Sequence, residues 1–66
     1  MKFHEKVLEV RGKLLISQQE LAREVGVSYA TVNRWEQGHN APSFIMQKKF
    51  ELFCEKKGIK FENTEE

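Results

Sequence analysis

Residues 17–38 read SQQELAREVGVSYATVNRWEQG, and this stretch decides the fold. Ser17 is a good helix N-cap, and Glu20 follows at the spacing of a capping box, in which each side chain bonds a backbone N–H of the other residue. An apolar stripe at helical spacing comes next: Leu21, Ala22 and Val25. Gly26 then stands where a helix ends in a left-handed residue. The stretch therefore begins with a short, capped helix.

The same signals recur at once, so a second short helix follows the first. Ser28 is the next N-cap, and Gly38 ends the second helix. A pair of apolar residues at hydrophobic-staple spacing brackets each cap: Ile16 with Leu21, and Val27 with Val32. Two capped helices separated by so few residues cannot form one straight helix. We expect them to cross as a helix-turn-helix at about residues 17–38.

The second helix has two unlike faces. At about 100° per residue, one side is suited to a core and carries Thr31, Val32 and Trp35. The opposite side carries Tyr29, Ala30, Asn33 and Arg34. This second side holds no acid and offers donors and acceptors of the kind that contact base edges and phosphates. An ordinary solvated face would more often include Glu or Asp, so the pattern favours DNA binding.

The segments SQQELAREVGVS and TVNRWEQG resemble the Cro/repressor-type, or xenobiotic response element (XRE), helix-turn-helix family of lambda repressor-like DNA-binding domains. With the flanking helices, the resemblance covers residues 3–57. It implies an all-α fold, a compact bundle of four to five short helices in which residues 28–37 form the recognition helix.

The resemblance also implies roles for individual residues. Base edges would be faced by Tyr29, Ala30, Asn33 and Arg34, while Gln18 and Ser28 would contact backbone phosphate. Further candidates for phosphate contact or positioning are Thr31, Gln37, His39 and Arg11. For His39, in the loop HNAPS that follows Gly38, a solvated loop residue is the alternative.

Family members often pair an Arg of the first helix with a Glu near the end of the recognition helix, and Arg11 and Glu36 occupy those positions. The alternative is a solvated arginine at a helix end. A partly buried pair would lock the two helices together. Desolvation would offset much of its attraction, but losing only one partner would be costly.

The first helix is predicted over residues 3–11, because Phe3, Val7, Val10 and Leu14 form a single apolar seam. Gly12 weakens a helix by about 1 kcal/mol relative to Ala, so we place the helix end or a loosened last turn there. Family members more often carry a glycine near the position of Leu15.

Another helix opens around Pro42, with either Asn40 or Ser43 as its cap. Its inward stripe is Met46, Phe50, Phe53 and Cys54. Gly58 and Ile59 should close it as a Schellman motif. The predicted core comprises Val7, Val10, Leu14, Leu21, Ala22, Val25, Val32, Trp35, Met46, Phe50 and Phe53.

The length of 66 residues allows one domain, which we assign to residues 1–61, with residues 62–66 as an acidic tail predicted to be disordered. Three apolar residues remain outside the inward stripe: Phe44, Ile45 and Phe61. They are either ordinary exposed side chains or a homodimer patch.

The net charge is only +1, but three of the ten acids lie in the last five residues. Residues 1–60 hold eleven basic and seven acidic residues, a net charge of +4. This predicts moderate DNA affinity that depends strongly on salt. No apolar run is long enough to span a membrane, and a single Cys fits a reducing compartment, so we expect a cytoplasmic, nucleoid-associated protein.

Catalytic and metal-binding patterns are missing from the sequence. The chain has one Cys, two widely spaced His and no Asp, which do not make a zinc spacing, and it has no glycine-rich phosphate loop. Cys54 falls on an apolar stripe, where a free Cys usually acts as a small hydrophobe. We therefore expect no enzyme, metal or cofactor.

The sequence predicts sequence-specific binding of double-stranded DNA through the major groove, by a small transcriptional regulator acting as a repressor. The main alternative is an antitoxin or adaptor whose chief role is to bind a protein partner. The low net charge and the apolar side chains of the last helix favour this alternative, whereas the acid-free recognition face disfavours it. A fragment of a larger regulator is a weaker third interpretation.

Overall fold

The computed structural model describes residues 2–38 and 42–61, and within them it contains four α-helices and no strand. The helices are α1 (Phe3–Leu14), α2 (Gln18–Val25), α3 (Tyr29–Gln37) and α4 (Phe44–Lys56). The all-α fold class is confirmed, with α2 and α3 as the helix-turn-helix. The predictions for His39 and for residues 62–66 fall outside the described residues.

The caps of α2 and α3 follow from the signals in the sequence. The Ser17 hydroxyl accepts the Glu20 N–H at 3.0 Å, and the Ser17 N–H donates to Glu20 Oε1 at 2.9 Å, so the capping box is confirmed. Gly26 ends α2 with φ at 92° and Gly38 ends α3 with φ at 73°, both left-handed. A Cβ on Gly38 would lie 3.1 Å from His4 Nδ1. Glycine therefore also allows α1 to approach the end of α3 closely.

The core lies where all four helices meet. Its buried members are Val7, Val10, Leu21, Ala22, Val32, Trp35, Phe50, Phe53 and Cys54. Three further predicted core residues pack against this cluster while partly buried: Leu14, Val25 and Met46. Phe3, Trp35 and Phe50 meet edge to face, with ring centroids 5.2 to 5.9 Å apart. This aromatic group joins α1, α3 and α4, so α3 is held by its inward side.

The predicted end of α1 at residue 11 was wrong. The helix continues through Gly12 to Leu14, and Leu15 takes the left-handed conformation with φ at 57° and ψ at 48°. The Arg11 carbonyl accepts the N–H groups of Leu15 at 2.7 Å and Ile16 at 3.3 Å. Gly12 is exposed and weakens the helix only modestly, whereas packing of Leu14 on the core favours another turn.

The beginning of α4 answers a question that the sequence left open, and its end confirms a prediction. Ser43 is the cap, since its hydroxyl accepts the Met46 N–H at 3.3 Å. At the other end, Ile59 N–H donates to the Cys54 carbonyl at 2.9 Å and Gly58 N–H to the Glu55 carbonyl at 3.0 Å. These two bonds form the predicted Schellman motif.

The segment after α4 folds back onto the core, which corrects the proposed exposed group of apolar residues. Phe61 packs against the core while partly buried, and Lys6 Nζ lies 5.5 Å from the centre of its ring. Phe61 is therefore partly buried, whereas Phe44 and Ile45 are exposed. No helix within the described ranges combines the length and apolar character that a bilayer crossing requires.

Candidate nucleic-acid interface

One side of α3 is open to solvent and carries the residues that the sequence singled out. We call it the outward face, and it comprises Tyr29, Ala30, Asn33, Arg34 and Gln37. Asn33 is half-buried, and the other four are exposed, Tyr29 by 53%. On the opposite side Val32 and Trp35 are buried in the core. The helix therefore presents this face on a rigid support.

The beginning of α3 is organised by two hydroxyls. Ser28 Oγ accepts the Thr31 N–H at 3.1 Å and lies 2.8 Å from Thr31 Oγ1. Either hydroxyl can donate in that second contact, so one hydroxyl proton stays free in both arrangements. A free O–H at the positive end of a helix dipole suits an anion such as phosphate.

The Arg11 guanidinium binds Glu36 in a bidentate ion pair. Nε donates to Oε2 at 2.6 Å and Nη2 donates to Oε1 at 3.1 Å, while Nη1 donates to the Ile16 carbonyl at 3.2 Å. The pair joins the last turns of α1 and α3 and also holds the segment before α2. Because a guanidinium has five N–H donors, two remain free at a side chain that is 27% exposed.

Gln18 brings α2 into the same network. Its Nε2 donates to Glu36 Oε1 at 2.7 Å and to Asn33 Oδ1 at 3.4 Å. Both amide protons are thus directed toward α3. In this arrangement Gln18 retains no amide proton for the phosphate contact that the sequence suggested.

The charge of Glu36 is buried and compensated. Burial raises the pKa of this carboxyl, but hydrogen bonds from Arg11 and Gln18 and the positive charge of Arg11 outweigh burial and lower the pKa overall. The same hydrogen bond raises the pKa of Arg11. The Glu36 side chain is only 8% exposed. The single acid of α3 is therefore turned away from solvent, and the outward face carries Arg34 without an opposing carboxylate.

Sequence reasoning missed the link from Gln18 to Asn33. A signal for it exists, because Asn33 and Glu36 are separated by three residues on a helix and so are neighbours on its surface. One side chain that crosses from α2 can reach both. The contact with Asn33 depends on the crossing of the two helices, which spacing along the chain does not define.

Elsewhere, a surface cavity of about 370 Å³ is lined by aromatic residues that include Phe3, Phe50 and Phe61, together with Cys54. No residue of the outward face lines it.

Burial and, to a smaller extent, the charge of Glu51 raise the pKa of the Cys54 thiol to about 11. Within residues 2–38 and 42–61, no three potential metal ligands among His, Cys, Asp and Glu come together.

The helix-turn-helix family model matches residues 7–57, which include α2, α3 and nearly all of the remaining described helices. The match spans most of the chain and is centred on the two capped helices. Comparison with curated proteins and with solved structures finds no match.

Proposed function

Because the chain belongs to the XRE-type, lambda repressor-like family of DNA-binding helix-turn-helix proteins, we propose that it is a transcriptional regulator that reads a specific sequence through the major groove. The observation that carries this proposal is the outward face of α3, which is open, rigidly supported and free of acids. Repression is the proposed mode, because a protein seated in the groove excludes other proteins there without any further contact.

Base reading is assigned to four residues of the outward face. The planar fork of Arg34 fits O6 and N7 of a guanine in a bidentate contact. Tyr29 and Ala30 lie in the first turn of α3, where they can touch a thymine methyl group. Asn33 contributes an amide to a neighbouring base.

Phosphate contacts fix the register. The free hydroxyl proton shared by Ser28 and Thr31, the two spare N–H groups of Arg11, and the Gln37 amide are the proposed donors. The net charge of +4 over residues 1–60 is modest. Affinity should therefore be moderate and should fall steeply with added salt.

We propose that the protein acts as a homodimer, because a single α3 helix contacts too few base pairs to define a specific DNA site. The nine residues of α3 extend roughly 13 Å, which covers about four base pairs at 3.4 Å each. A second copy doubles the site. Three of the exposed apolar side chains lie on α4 and are the proposed pairing surface: Phe44 is 77% exposed, Ile45 69% and Leu52 58%. These three residues form the α4 patch.

Selection of bound sequences from a random duplex pool at about 0.15 M salt tests the proposal, since purely non-specific contacts are weak there. We expect an enriched inverted repeat with half-site centres about 34 Å apart. Generic, salt-sensitive binding with no enriched sequence would contradict specific readout.

The exposed α4 patch supports a second candidate function, an antitoxin or adaptor that binds another protein. Two results together would identify this function. The protein would form a stoichiometric complex with a different protein, and it would enrich no DNA sequence in the selection. An inverted repeat bound by two copies of this chain would exclude that candidate as the main role.

A further inference from the structure

A chain of hydrogen bonds with a forced direction runs from the buried ion pair to the outward face of α3. The Glu36 carboxylate only accepts, so the end of the Gln18 amide that lies 2.7 Å from it has to be the NH₂ group. The second proton of that NH₂ group points to Asn33 at 3.4 Å. The end of the Asn33 amide that meets it has to be the oxygen, Oδ1. The chemistry of Glu36 thus sets the orientation of two amides in turn.

We propose that Gln18 is a positioning residue that holds the Asn33 amide with its NH₂ group toward the groove, so that Asn33 acts as a hydrogen-bond donor to a base. This inference rests on the proposed function and deepens it. It replaces the phosphate contact suggested for Gln18, whose two amide protons are both engaged within the protein.

The held orientation restricts which bases are accepted. In the major groove guanine offers O6 and N7, adenine N7 and thymine O4 as acceptors, whereas cytosine offers only the N4 donor. A donor held toward the base therefore rejects cytosine at one position of each half-site. Because Gln18 occupies one side of Asn33 Oδ1, a two-bond contact with adenine is not specially favoured over guanine or thymine.

The rest of the network keeps this arrangement in place. Arg11 makes two bonds to Glu36 and one to the Ile16 carbonyl, so the carboxylate is fixed with respect to the beginning of α2. Gln18 and Asn33 are both half-buried, which limits rotation of their side chains. The amide orientation is accordingly present before DNA binds.

The matched pair of variants is Gln18→Met and Gln19→Met. Both replace a glutamine by an apolar side chain of similar length on the first turn of α2, but Gln19 is exposed. A third variant, Asn33→Asp, keeps an acceptor for Gln18 and removes the donor. Thermal unfolding verifies that each variant is folded before its binding is measured.

Binding is measured on the selected operator with all four bases at each half-site position. Wild type and Gln19→Met should bind roughly tenfold more weakly when cytosine occupies one position, the loss typical of an unpaired donor. Gln18→Met should reduce this discrimination to about threefold or less. Asn33→Asp should shift the preference toward the N4 donor of cytosine or the N6 donor of adenine. An equal loss on all four bases with Gln18→Met would overturn the inference, as it would mark a phosphate contact.

Side-chain amide NMR spectra of the free protein test the hydrogen bonds from Gln18 to Glu36 and Asn33 without DNA. The Gln18 NH₂ protons should exchange with solvent more slowly than those of Gln19, and the Asn33 signals should move in Gln18→Met but not in Gln19→Met. Equal solvent exchange rates for the NH₂ protons of Gln18 and Gln19 would overturn the inference while leaving the proposed function intact. A wild-type protein that enriches no sequence would instead overturn the proposed function, and the base-reading inference with it.

Discussion

Arg11 Nε donates to Glu36 Oε2 at 2.6 Å, and this contact joins the last turn of α1 to the last turn of the recognition helix. It turns the only acid of α3 inward. The same carboxylate accepts from Gln18 at 2.7 Å, so three helices converge on one charge. The outward face keeps its positive character because this charge is compensated inside the protein.

Removing one member of the pair should destabilise the protein. In Glu36→Gln a single carbonyl oxygen replaces two charged acceptors, so bonds from Arg11 or Gln18 are lost and the guanidinium charge is left uncompensated. We expect the free energy of unfolding to fall by about 1–3 kcal/mol, measured by urea denaturation. The control is Glu51→Gln, which removes an exposed pair with Lys48 and should cost less than about 1 kcal/mol. Equal losses in the two variants would contradict a structural role for the buried pair.

The ion pair between Arg11 and Glu36 should also contribute to the fall in the free energy of unfolding at acid pH. Because the folded-state pKa of Glu36 lies below its usual value of 4.5, its contribution is complete above that pH and is lost as the pH falls toward the folded-state pKa. Unfolding free energies at pH 7 and pH 3 should therefore differ less in Glu36→Gln than in wild type.

Glu5 provides the comparison for that measurement. Its pKa is also lowered, chiefly by the hydrogen bond from the Lys2 backbone N–H, but the residue is exposed. Glu5→Gln should remove only a small part of the pH dependence. If Glu36→Gln retained the full wild-type slope, the ion pair would not be the source of the acid sensitivity.

Leu15 is a site where a glycine should stabilise the protein. Its left-handed backbone costs roughly 1–2 kcal/mol for a residue with a Cβ, and its side chain is 87% exposed, so little packing is lost. After the entropy penalty of glycine, Leu15→Gly should raise the free energy of unfolding by about 0.5–1 kcal/mol. Gly26→Ala is the opposite control, because its φ is 92° and a Cβ there meets no neighbouring atom. It should destabilise, and thermal or urea unfolding of both variants measures the contrast.

Cys54 should be inert in the folded protein. Its side chain is buried and the thiol pKa is raised to about 11, so thiolate is scarce at pH 8. Ellman's reagent should react with it slowly in buffer and quickly in 6 M guanidinium. Rapid reaction in buffer, with the protein shown to be folded, would contradict the buried placement.

Much of the fold could be predicted from local signals. The capping residues Ser17 and Ser28 and the terminating glycines act within a few residues of the bonds they form, so spacing along the chain identifies α2 and α3. The end of α1 could not be found in this way. Gly12 carries a local signal to stop, but the packing of Leu14 against residues distant in sequence outweighs it.

The sequence predicts which side of α3 forms the candidate site, but it does not predict the hydrogen bonds that hold the side chains there. Periodicity separates the outward face of α3 from Trp35 and Val32, since both sets lie on one helix. The hydrogen bonds of Gln18 depend on the crossing of α2 over α3. Phe61 reaches the core only because the chain reverses after Gly58, and no periodicity within α4 contains that reversal.

The central claim is that the outward face of α3 reads bases, and comparing Arg34→Ala with Arg23→Ala tests it most directly. Both arginines are exposed, but Arg23 lies on α2 and outside this face. Affinities are measured for the selected operator and for a scrambled duplex at the same salt concentration.

Arg34→Ala should lose about 1–3 kcal/mol on the operator and much less on the scrambled duplex, while Arg23→Ala should change both affinities by the same small amount. An equal loss on both duplexes with Arg34→Ala would contradict the claim and reduce Arg34 to a phosphate contact.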